Sequence, residues 1–114
     1  MSSTGWRGRE SVRVAELWLR AGRAIITPSV PGALAGYAAR RGESEGTHDD
    51  LEANLIVLAQ DTTATAWLAL DAVAVTAELA RALADIVRAE LGMPALAVQV
   101  CASHTHSAPI GWTG

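Results

Sequence analysis

Residues 76–102, TAELARALADIVRAELGMPALAVQVCA, decide the fold. Leu79, Leu83, Ile86, Val87 and Leu91 recur at steps of three and four, which predicts one apolar face of an α-helix. Glu78, Arg81, Asp85 and Arg88 fall on the other face, spaced so that opposite charges can meet. Thr76 is placed to cap the helix, and Glu78 lies in the first turn, where the macrodipole favours an acid. Gly92 and Pro94 stop it. Residues 95–102 are almost wholly apolar, the pattern of a strand covered on both faces, with Cys101 as a small core residue.

Working outward, residues 51–59 and 66–75 read as strands flanking a turn at QDTTAT. Strand, helix, strand then makes a βαβ unit with its two strands parallel. Residues 14–26 (VAELWLRAGRAII) read as a further strand, interrupted at Gly22 and ended by Thr27-Pro28. Residues 33–41 suit either a helical turn or an irregular segment, and 42–50 (GESEGTHDD) an exposed loop. The fold class expected is α/β, a partial sheet with a βαβ unit. Residues 1–16 read as a loosely ordered lead-in and 17–114 as one continuous unit.

Composition narrows the function classes. Half the residues are apolar, too many for disorder, yet the chain has no Phe and one Tyr. Its core must use small side chains, with Trp18 and Trp67 as the expected large fillers. The net charge is −3 and no basic-aromatic stripe appears, which argues against nucleic-acid binding. Cys101 is the one cysteine, so no intrachain disulfide can form. The N-terminal text has no uninterrupted apolar core and does not read as a signal peptide, leaving the compartment open. No run approaches the ~18 apolar residues of a transmembrane segment.

The chemistry-bearing tetrapeptide is His104-Thr105-His106-Ser107, directly after the apolar strand. In extended backbone, residues two apart project to one side, so both imidazoles can face one cavity at the strand's carboxyl end. There they can bind Zn²⁺, or one can bind while the other donates to substrate. On spacing alone, a loop with two solvent-facing histidines is an equal reading. Asp71, ending the neighbouring strand, could orient a metal-bound imidazole or simply face water. His48-Asp49-Asp50 reads as a solvated turn, with His48 as a possible rim residue.

Five segments together resemble the neutral/alkaline non-lysosomal ceramidase family: GRAIITP (22–28), AGYAAR (35–40), HDDLEANLIVL (48–58), LALDAVAVT (68–76) and ASHTHSAP (102–109). The family's pieces look like G-x-A-D-I-T-P, G-Y, H-D-x-L, a strand ending in Asp, and T-H-T-H-S-G-P. The resemblance covers nearly the whole chain. It implies a zinc-dependent amidohydrolase that cleaves the N-acyl bond of ceramide-like lipids. It implies that His104 is a zinc ligand and that His106 holds the substrate or its developing oxyanion. It places Tyr37 and Thr27 near the cleft, with His48, Asp71 and Ser107 as further rim or supporting residues. The family's remaining ligands, a His, a Glu and a Tyr, have no counterpart here. The resemblance therefore implies the N-terminal segment of a larger zinc-hydrolase catalytic domain, needing the remainder of that domain to complete the site. Ile25 stands where the family has an acid, and Ala108 where it has a glycine, a position that would be strained if it required positive φ. The competing reading is a small non-catalytic α/β binding domain or a degenerate relative of the enzyme.

Overall fold

The structure is a computed structural model that describes residues 16–110. The lead-in expected over residues 1–16 lies, apart from Glu16, outside the described residues, as do residues 111–114. The described chain is a small mixed α/β unit. Its elements are β1 (Leu17–Ile25), β2 (Glu52–Gln60), β3 (Thr63–Leu70), α1 (Ala77–Leu91) and β4 (Ala97–Ala102). The four strands form one sheet in the order β1-β2-β3-β4. β1 with β2 and β2 with β3 are antiparallel, whereas β3 and β4 are parallel. A parallel pair cannot close through a tight turn, and α1 supplies the crossover.

Local chemistry sets the element ends. β2 and β3 join through Asp61 and Thr62 alone, a tighter turn than QDTTAT suggested. Asp61 adopts φ 53°, a left-handed conformation that Asp tolerates, and β3 therefore starts at Thr63 rather than near residue 66. It also ends earlier, at Leu70. Gly22 does not interrupt β1: it stays in register opposite Leu55. α1 is capped as its sequence requires. The Thr76 side chain accepts from the Leu79 N–H at 3.1 Å, and Met93 N–H closes the far end on the Arg88 carbonyl at 2.9 Å. Arg88 pairs with Asp85 at 3.0 Å and donates through Nε to the Leu96 carbonyl at 2.8 Å, tying the helix end to the chain entering β4.

The core lies between α1 and one face of the sheet, where Val57, Ala66, Leu68 and Leu70 meet Ala72, Val87 and Leu96. The other face carries no helix among the described residues, and this corrects three expectations. β4 is not covered on both faces: its residues alternate between exposed and half-buried, and Cys101 points outward. Trp67, aligned with Ile56 and Gln99, is on the open face and 39 % exposed rather than filling the core; Trp18 is half-buried. Ile86 is 57 % exposed, so the buried stripe of α1 runs through Ala84 and Val87 with Leu83 and Leu91 beside it. No described helix is long and apolar enough to cross a membrane.

Adjacent β2 positions report on the two faces. Val57 is 2 % exposed and Ile56 40 %. Val57→Ala should cost about 2 kcal/mol in urea unfolding, and Ile56→Ala distinctly less despite deleting more atoms. An equal or larger loss at Ile56 would show that the open face is covered in the folded protein.

Candidate functional site

Backbone hydrogen bonds continue to join the two chains beyond the ends of the parallel pair. Ser103 N–H donates to the Leu70 carbonyl at 2.9 Å and His104 N–H to the Ala72 carbonyl at 2.8 Å. At His104 the chain turns into the left-handed region, φ 65°, a conformation that costs a side-chain-bearing residue about 1–2 kcal/mol. The segment is therefore not extended at His104, and strand alternation is not what brings the rings together. They meet because of this turn, with centroids 5.0 Å apart and planes at 74°.

The two rings have different environments. Nδ1 of His104 lies 2.7 Å from the Val73 carbonyl oxygen. A carbonyl only accepts, so Nδ1 carries the proton, and in the neutral ring Nε2 then keeps a free lone pair. His106 is the reverse case. Its Nδ1 is buried and has no hydrogen-bond partner among the described residues. A buried N–H without an acceptor is the costlier alternative, so the neutral ring places its proton on Nε2. The pair thus offers one imidazole acceptor and one imidazole donor.

The wall behind His106 comes from the loop over residues 33–41, which is irregular rather than helical. Ala35 N–H donates to the Ala108 carbonyl at 2.8 Å, Ile110 N–H to the Ala33 carbonyl at 3.2 Å, and Leu34 bridges Pro109. Ala35 and Ala108 are buried where these segments cross. Ala108 is not among the described residues with positive φ, so alanine in place of the family's glycine brings no strain. Gly36 has φ 106°, and a Cβ there would stand 2.4 Å from Cγ of His106. Tyr37 meets His106 edge-on, with centroids 4.6 Å apart.

Beyond the same loop is a cleft of about 660 Å³, lined by Thr27, Asp50, Asp71, Thr105 and Ser107 among others. His48 is on its rim, 98 % exposed at the side chain and paired with Asp49 at 3.0 Å. Thr27 stitches the cleft floor: its hydroxyl donates to Asp50 at 2.9 Å and accepts from the Leu51 N–H at 2.8 Å. Asp71 follows β3 directly and accepts through Oδ2 from the Glu52 N–H at 2.9 Å. The task of orienting His104, which the sequence offered to Asp71, falls to the Val73 carbonyl. The expected residues therefore divide into two groups. Tyr37, His104 and His106 form one, while His48, Asp71 and Ser107 line the cleft. Ile25 belongs to neither, being exposed at the end of β1.

Sequence reading missed Val73 and gave Gly36 no part in the site. A glycine beside the lone tyrosine was the available signal for Gly36, whereas a backbone acceptor leaves no mark in residue type. Among the described residues no three His, Cys, Asp or Glu side chains are grouped to hold a metal ion. His104 fits the role of a single zinc ligand, because its free Nε2 is backed by a hydrogen bond at Nδ1, the usual arrangement of a metal-binding imidazole. The chain matches no protein-family model and no curated protein.

Two comparisons test this geometry. Gly36→Ala and Gly42→Ala both place a side chain at positive φ, but nothing lies within 4 Å of a Cβ at Gly42. Gly36→Ala should lose more than about 1 kcal/mol beyond Gly42→Ala in denaturant unfolding, and equal losses would mean that His106 is free to move. His104→Gly should be about 1 kcal/mol more stable than His104→Ala, since glycine accepts the left-handed backbone; no difference would show that the turn relaxes without the imidazole.

Proposed function

We propose that this chain contributes to a zinc-dependent amidohydrolase that cleaves the N-acyl bond of ceramide-like sphingolipids, releasing sphingosine and fatty acid. The observation that carries the reading is the pair of imidazoles 5.0 Å apart, one with Nδ1 against a backbone carbonyl and the other with Nδ1 buried. His104 presents an unprotonated Nε2, the form a metal requires, and its Nδ1 proton is committed to Val73. His106, with Nδ1 buried, presents Nε2–H, the form that donates to an amide carbonyl oxygen. The order of the five ceramidase-like segments points to the same chemistry.

In this reading His104 is a ligand of one catalytic zinc, and the other ligands come from outside the described residues, in the rest of a larger catalytic domain. When bound, zinc polarises the amide carbonyl and makes hydroxide available near neutral pH. His106 donates from Nε2 to the carbonyl oxygen and strengthens that bond as negative charge develops there, which favours the transition state over the substrate. Gly36 and Tyr37 keep the ring in its donating orientation. The adjoining cleft, lined both by Val30, Leu34 and prolines and by Thr27, Asp50, Asp71 and Ser107, suits an amphiphile with a hydroxylated head. His48 stands at its rim.

The test is hydrolysis of a short-chain N-acylsphingosine with zinc, with product read by mass spectrometry in the enzyme carrying all its ligands. His104→Ala should bring turnover to background, and His106→Ala should lower kcat by about 10²–10³. Near wild-type turnover in His104→Ala would sink the assignment.

A further inference from the structure

Arg40 is half-buried, yet it joins no ion pair among the described residues. Its NH1 donates to the His106 carbonyl at 2.7 Å and lies 3.4 Å from the Ala35 carbonyl. A guanidinium withdrawn from water without a carboxylate normally finds a substitute acceptor, and here the substitutes are backbone carbonyls from two segments far apart in sequence. The same guanidinium stands over Tyr37, with its central carbon 4.9 Å from the ring centroid, within cation–π range. Tyr37 in turn lies edge-on to His106, whose far side is closed by Gly36. One side chain thus holds both the backbone of His106 and the ring that packs on its imidazole.

We propose that Arg40, acting through the His106 carbonyl and Tyr37, is the positioning residue that fixes the His104–His106 pair. Among the described residues the Nδ1 of His106 has no hydrogen-bond partner and Gly36 meets the ring with backbone surface alone, so its placement depends on Tyr37 and on the carbonyl that Arg40 holds. Without Arg40 the carbonyl of His106 turns toward water, Tyr37 loses the cation above it, and the imidazole leaves the position that faces His104. The catalytic consequence rests on the amidase reading, but the positioning does not.

The experiment is NMR on the full chain with its three histidines isotopically labelled. In the wild type, ring-to-ring contacts should be seen between Tyr37 and His106 and between His104 and His106. Arg40→Met keeps an apolar stem and removes every donor. It should abolish both contacts and leave the amide shifts of α1 unchanged, and Arg40→Lys, which restores a cation and a donor, should recover them in part. Both contacts surviving in Arg40→Met would overturn the proposal. Should Arg40→Met lose the folded spectrum altogether, Arg40→Gln serves in its place. Its neutral, shorter side chain keeps a polar end but reaches neither the His106 carbonyl nor the Tyr37 ring, so a retained His104–His106 contact overturns the proposal and a lost one supports it. The amidase reading fails separately, if His104→Ala in the enzyme carrying all its ligands keeps near wild-type turnover, and that outcome leaves the NMR result standing.

Discussion

The backbone hydrogen bonds that tie the end of β4 to the chain leaving β3 are the constraint on which the rest depends, because they do not stop where the parallel strands do. Leu70 and Ala72 continue to present carbonyls, Ser103 and His104 continue to present N–H groups, and the two chains stay together until His104 turns into the left-handed region. The turn delivers Nδ1 of His104 to the Val73 carbonyl, one residue beyond the last paired acceptor. The position of the ring is thus a consequence of sheet geometry. A loop of the same sequence on an antiparallel pair would meet carbonyls at different spacing and would not commit the proton in this way.

The second half of the site is built from the opposite direction. Residues 33–35 run antiparallel to 108–110 and bury Ala35 against Ala108, which needs two small side chains at the crossing. Gly36 follows immediately and lets His106 lie against backbone. Tyr37 and Arg40 then cover what remains. The strained backbone at His104 has a counterpart here in the orphaned Nδ1 of His106, and both costs fall on the residues whose chemistry is in question.

The amphipathic helix, its caps and the parallel pair around it were legible because their signals are local: a three-to-four repeat, a threonine at the start, a glycine at the end. The histidine pair was legible for a similar reason, as two imidazoles directly after an apolar run. Burial was less so. Residues 95–102 contain too little contrast between Ala, Val and Cys to show that one face is open, and Trp67 looked like a core residue because size and hydrophobicity do not reveal which side of a strand is covered. The turn at Asp61 was misread by a few residues because a left-handed aspartate tightens a hairpin without any glycine to announce it.

The sequence by itself determined the element types, the parallel β3–α1–β4 unit and the presence of two histidines at its carboxyl end. Periodicity, capping and turn chemistry act over a few residues and are written in them. Tertiary structure alone decided the surroundings of each ring nitrogen, the division of the expected residues between ring cluster and cleft, and the contacts made by Val73, Gly36 and Arg40. Those outcomes depend on a carbonyl, a missing Cβ and a guanidinium brought in from distant segments, and such juxtapositions are created only when the chain closes on itself.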